Sequence, residues 1–242
     1  MFKGSVVVGI VTLVLFSTTG NNSLSAAELQ SFSGLYKLTS GSMTVGELEL
    51  SLALSETGRY HYLSKSRPTG FIGKLAGGRI EEESSGKVSA NTVQPVNYRY
   101  RREGRKARTV ALKFDWNKLK VVNTVNDDPW VMSIEPGTID KLAAQLLLMR
   151  DLKAGKREME YKVADGGTLK TYRFFRGGDE KLNSPLGEME TVRVKRDRGR
   201  KDRYMEFWCA PSLGYLPVRI VQYRDGEEHA RMILHRIDPS PQ

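Results

Sequence analysis

A single cysteine, Cys209, excludes an intramolecular disulfide, so burial and hydrogen bonding must hold the fold. Histidine is nearly as scarce, with His61, His229 and His235 the whole supply. The last two fall six apart on one predicted strand, about 20 Å by strand rise, too far to share a zinc ion. No Cys-x-x-Cys pair, His-Glu-x-x-His helix, Gly-x-Ser-x-Gly elbow or Gly-Lys-Ser/Thr phosphate loop occurs, which removes the common zinc, serine-hydrolase and nucleotide signatures. Cys209 follows Trp208 in an apolar strand. There a small buried residue is the expected role, rather than a nucleophile served by His235. Asp127 and Asp128 lack the ligand spacing of a calcium loop. The other carboxylates fall in turns or on polar strand faces, with no pair singled out for acid–base work. No catalytic residue, metal or cofactor is implied.

Long apolar runs are also missing. The longest, 6–16, has eleven residues, against the ~20 that cross a bilayer as a helix. Lys3 precedes it, a polar stretch follows, and Ser25-Ala26-Ala27 sets small residues before Glu28. This is the pattern of a secretory signal peptide over 1–27, which places the mature chain in the periplasm. Acidic charge is the minority: 28 Asp and Glu stand against 38 Lys and Arg, a net +10. An exported basic protein does not meet nucleic acid. The expected partners are anionic or amphipathic envelope components (lipid, lipopolysaccharide or wall polymer) or an envelope protein, and the charge is compatible with peripheral membrane contact.

What is abundant is period two. Leu48, Leu50, Leu52 and Leu54 alternate with Glu47, Glu49, Ser51 and Ala53, as in an antiparallel strand with one wet face. Strands also read out at 34–40, 59–66, 79–88, 95–102, 107–116 and 119–125, with 126–130 as a loop. After residue 155 they resume at 158–163, 168–176, 186–196, 203–209, 216–223 and 229–237. Between the two groups the period changes once. Ile139, Leu142, Ala143, Leu146, Leu147 and Met149 recur at helical spacing. The helix is predicted over 138–152, with Thr138 as its N-cap and Gly155 as its stop. It is apolar over most of its girth, so it should be enclosed.

Two further features stand out. Residues 101–108 and 196–203 match without a gap: a turn glycine ringed by basic residues occurs on each side of the helix, hinting at two similar β halves. Residues 67–78 combine Pro68 and four glycines with Phe71, Ile72 and Leu75. They read as a loop or short helix that plugs one end of the core, or alternatively as a lid or membrane-touching loop.

The hairpin of 204–223 carries a resemblance. Trp208, Ala210-Pro211, Leu213 and Tyr215-Leu216-Pro217-Val218-Arg219-Ile220 resemble the C-terminal signature of the domain of unknown function 3108 family of exported bacterial proteins. Leu182, Ser184-Pro185-Leu186-Gly187 and the helix fit the same pattern. The resemblance implies a curved antiparallel sheet around a helix and carries no established activity.

The chain is therefore read as mainly β, a curved antiparallel sheet (half-barrel or β-spiral) wrapped around one central helix. The domain is expected over 28–237, with two similar halves flanking the helix and a disordered tail at 238–242. Trp208 and Tyr215 should anchor the second half against the helix. The function expected is non-enzymatic binding or envelope maintenance, with a wall-polymer or glycan hydrolase and a sheet-edge interaction protein as alternatives. Candidate ligand-binding residues are Phe71, Ile72, Trp116 and Trp130 at an apolar mouth, and Arg105, Lys106, Arg108, Arg200, Lys201 and Arg203 on the basic turns.

Overall fold

The computed structural model describes residues 29–70, 78–89, 92–104, 106–200 and 202–239, without the side chains of Arg198, Arg200 and Pro239. The signal-peptide reading of 1–27 lies outside these residues, as do Phe71, Ile72, Arg105 and Lys201. The first eight strands are β1 (Phe32–Ser40), β2 (Met43–Leu54), β3 (Arg59–Pro68), β4 (Ile80–Val88), β5 (Val93–Arg102), β6 (Arg108–Asp115), β7 (Lys120–Val125) and β8 (Asp128–Ser133). A two-residue strand, β9 (Ile139–Asp140), leads into the helix α1 (Ala143–Lys153). Six strands complete the chain: β10 (Glu158–Asp165), β11 (Thr168–Ser184), β12 (Gly187–Arg200), β13 (Arg203–Ala210), β14 (Leu216–Arg224) and β15 (Glu227–Pro239). They form a single 15-stranded sheet in the order β8-β7-β6-β5-β4-β3-β2-β1-β15-β14-β13-β12-β11-β10-β9. Every ladder is antiparallel except the short pairing of β9 with β10. The fold is thus a curved, unclosed sheet with the predicted helix inside it.

The inner face follows from strand alternation. Tyr36, Leu50, Leu52, Tyr62, Tyr98, Leu112 and Val121 line it and are buried. Against them the helix buries Ala144, Leu146, Leu148, Met149 and Leu152, so the concave face is filled rather than hollow. The helix begins at Ala143, five residues later than its periodicity predicts. Ile139 and Asp140 are extended because they pair with Val163 and Ala164. Thr138 is not the cap; its hydroxyl donates to the Glu135 carbonyl at 2.8 Å. The Asp140 carboxylate instead accepts the N–H groups of Leu142 and Ala143 at 2.8 and 2.9 Å, which satisfies donors that a helix start leaves orphaned.

Two other segments differ from expectation. The 126–130 loop is a two-residue turn in which Asn126 and Asp127 both take positive φ, 49° and 68°. Such a turn matches strand twist, so β8 pairs back on β7 and Trp130 lies in a strand. Asp238 and Pro239, assigned to the tail, complete β15. The 204–223 hairpin forms as read, with Gly214 at φ 63° closing a 3-10 turn at Pro211–Leu213. Trp208, however, does not face the helix as expected. Phe207 faces inward, its ring centre 5.9 Å from that of Phe174, so Trp208 points to the outer face. There its indole N–H donates to Glu180 and the Arg219 guanidinium lies 3.6 Å over its ring. Trp208 is 2% exposed, with Glu180 and Arg219 rather than the helix against its ring.

Candidate functional site

In this meander, alternate turns fall at the same end. The β1–β2, β3–β4, β5–β6, β7–β8, β10–β11, β12–β13 and β14–β15 connections all leave from one end, and the remaining ones from the other. Both basic turns, between β5 and β6 and between β12 and β13, therefore stand on one rim. Lys106, Arg108 and Arg203 are exposed there. The β3–β4 connection, which contains Phe71 and Ile72, also departs from and returns to this rim. Trp130, near the start of β8, is at the same end, whereas Trp116 lies at the opposite end. The Trp116 indole N–H donates to the Pro95 carbonyl at 2.7 Å and its ring stacks on Phe114.

The two basic turns share an end but not a geometry. In the first, Gly104 (φ 88°) lies in the loop closed by the Arg102–Arg108 pair. In the second, Gly199 (φ 72°) lies within β12, at a bulge before the Arg200–Arg203 pair, and its N–H binds the Asp197 carboxylate at 2.8 Å. Arg101 pairs with Glu103 at 3.2 Å, and Arg203 lies 3.7 Å from Asp202. The rim charge is thus partly offset, and exposed Asp127, Asp128, Asp225, Glu227 and Glu228 stand at the β7–β8 and β14–β15 turns of the same end, so the positive charge belongs to the two basic turns rather than to the whole rim.

Below the rim, the concavity closes on a polar layer that the sequence did not reveal. Asp140 is fully buried and receives the Ser84 hydroxyl at 2.5 Å, while Tyr60 and Ser84 hydroxyls are 2.9 Å apart. Beside it Lys141 bridges to Glu82 at 2.8 Å, and Glu82 also accepts the Tyr98 hydroxyl at 2.8 Å. Burial pushes the Asp140 carboxyl up to about 6, although three hydrogen bonds favour its charged form. Asp165 is also desolvated, but hydrogen bonds from Lys170 and Tyr172 prevail and hold it below its ordinary value. The helical periodicity over 138–152 puts Asp140 inside the first turn rather than ahead of it. Its spacing ahead of Leu142 and Ala143 is the signal that fits a cap.

The rim clefts are polar. One of about 460 Å³ is lined in part by Asp165, Lys170, Tyr172, Arg173, Arg196 and Asp197. The Arg196 guanidinium lies 3.4 Å over the Tyr172 ring, so that aromatic face is already covered. A shallow cleft of about 430 Å³ lies on the outer face of β1–β5. Across it Glu49, Lys65, Glu81 and Arg101 stand in register on successive strands, a row of alternating sign suited to water.

Nucleophilic chemistry at Cys209 has no geometric basis. The thiol is fully buried, burial pushes its pKa far up, and His235 stands two strands away. Among the described residues no group of three or more His, Cys, Asp or Glu is arranged to hold a metal ion. No described helix is long and apolar enough to cross a membrane.

The profile of the family described as "Protein of unknown function (DUF3108)" matches residues 35–233. The chain belongs to this family. No curated protein matches it. Among solved structures, a β-barrel-like protein of domain of unknown function DUF1849 from Brucella abortus is similar. Its TM-score is 0.60 at 12% identity, with 88% of this chain and 99% of that one covered. The likeness shows that the curved sheet of this DUF3108 chain is a fold shared beyond its family. MucB matches with a TM-score of 0.38 at 11% identity over 89% of this chain and 55% of that one. A protein with a YmcC-like fold from Bacteroides fragilis matches with a TM-score of 0.39 at 10% identity over 87% of this chain and 97% of that one.

Proposed function

We propose that this DUF3108 protein is an exported, non-catalytic binding protein of the periplasm that docks an anionic envelope partner on its basic rim. The observation that carries the reading is the gathering of both basic turns at one end of a sheet whose concavity is filled. The helix fills most of the concave face, so the rim is taken as the docking surface and an acidic envelope protein as the partner of choice. Arg105, Lys106, Arg108, Arg200, Lys201 and Arg203 supply the cations, guanidinium groups being suited to carboxylate and phosphate. Trp130 supplies apolar contact at the same end, and Phe71 and Ile72 are proposed to add to it from the β3–β4 connection. The signal-peptide pattern expected over 1–27 supports an exported location, where such partners are found.

The test is affinity capture from an envelope extract at 50 and 300 mM NaCl, with sedimentation on phosphatidylglycerol vesicles in parallel. The reading expects an acidic protein held at low salt and released at high salt, since exposed pairs are screened over about 10 Å at 0.1 M salt. Binding to vesicles alone would replace the protein partner by the membrane surface.

A sheet-edge role has one observation in its favour. Val131, 57% exposed on the edge strand β8, pairs across β7 with Val122, which is also exposed. Strand addition there would extend the sheet by main-chain hydrogen bonds.

A further inference from the structure

At the end opposite the basic rim, the fold forms a half-open apolar pocket of about 250 Å³. Five apolar side chains line it: Leu29, Phe32, Met149, Leu213 and Ile237. Its walls are fixed by the fold. Met149 is 3% exposed on the buried helix. Phe32 sets its ring edge-on to Tyr62, 6.1 Å between centres. Leu213 belongs to the 3-10 turn, which is tied by the Gly214 N–H to the Pro211 carbonyl and the Tyr215 N–H to the Ala210 carbonyl. Gly214 itself opens the wall, because a Cβ there would meet no atom within 4 Å.

The polar groups at this pocket are neutral: Gln30, Ser31 and Ser212. Ser31 already accepts the Leu54 N–H at 3.0 Å and retains its own hydroxyl proton to donate. Among the described residues no cation lines the pocket, in contrast to the rim. β13 alone spans eight residues between the two ends, about 26 Å at strand rise. A short amphiphile held here therefore does not also reach the basic turns.

We propose that this pocket is a binding site for one short alkyl chain bearing a neutral hydroxyl or amide head. An apolar cavity of about 150 Å³ already accepts benzene-sized ligands, and this one is larger. The alkyl chain lies against Met149, Phe32 and Leu213, and its head reaches the Ser31, Ser212 and Gln30 groups at the opening. The site is independent of the rim and of the partner proposed for it.

The experiment is titration calorimetry of the purified protein with 1-octanol and with octanoate. It is run on wild type, on Leu213→Trp and Ile237→Trp, which fill the pocket from partly exposed positions, and on a rim variant. Saturable 1:1 binding of octanol is expected, with octanoate at least tenfold weaker because no cation meets its carboxylate. Both filling variants should abolish it, and the rim variant Lys106→Glu/Arg108→Glu should retain it. The assignment is overturned if octanol does not bind, as when residues preceding Leu29 occupy the pocket. It is also overturned if binding survives in both filling variants that melt as wild type does. Tighter binding of octanoate overturns the neutral head.

Discussion

Asp140 shows how one side chain ties three parts of this molecule together. It caps the helix, binds Ser84 of β4 and pairs its backbone with β10. Its carboxyl titrates near 6 when folded, against an ordinary 3.8. A raised carboxyl means that the folded state holds its proton more tightly than the unfolded chain does. Its contribution to stability is therefore full below about pH 4 and is lost as pH rises through 6. A shift of this size corresponds to about 2–3 kcal/mol. Asp140→Asn keeps a carbonyl to accept the two N–H groups and removes the charge. Denaturant unfolding at pH 4.5 and 7.5 should show wild type gaining about 2 kcal/mol on acidification relative to the variant. Equal pH dependence in the two proteins would mean that Asp140 is not the group that titrates.

Among the elements, the open edge of the sheet is held by a contact rather than by a ladder. Trp130 of β8 covers Gly167 in the β10–β11 turn so closely that a Cβ at Gly167 would lie 2.3 Å from the indole. Gly167 also takes φ 91°, a conformation that side chains disfavour. Gly167→Ala should displace the ring, cost about 1–3 kcal/mol and speed amide exchange in β7 and β8 ahead of the rest. Unchanged exchange in those strands would count against the contact. This closure was not legible in the sequence, because it joins residues far apart in the chain through a glycine with no side chain to read. The strands were legible where one face is wet, as in β2, where leucine alternates with polar residues. The helix was legible in its periodic part and not in its start, since pairing with β10 overrides the local preference of Ile139 and Asp140. Trp208 was legible as buried but not as outward-facing. Its cover includes Arg219 and Glu180, and nothing in a run of apolar residues signals that two charged side chains will act as a lid.

At the scale of the whole molecule, the meander decides what the basic residues can do. Segments 101–108 and 196–203 are separated by the helix and by many strands, yet antiparallel order delivers both to one rim. The sequence shows the match between them; only the topology shows that they face the same way. The filled concavity leaves that rim, rather than an interior chamber, as the surface with a charge of its own to offer. Reversing Lys106→Glu, Arg108→Glu and Arg203→Glu together changes exposed side chains and leaves the buried core untouched. The decisive measurement is affinity capture of the envelope partner by this triple variant beside wild type at 50 mM NaCl, with melting temperatures recorded for both. The account predicts at least tenfold weaker capture, about 1.4 kcal/mol or more, with the melting temperature unchanged. Capture as strong as wild type by a folded variant would contradict it.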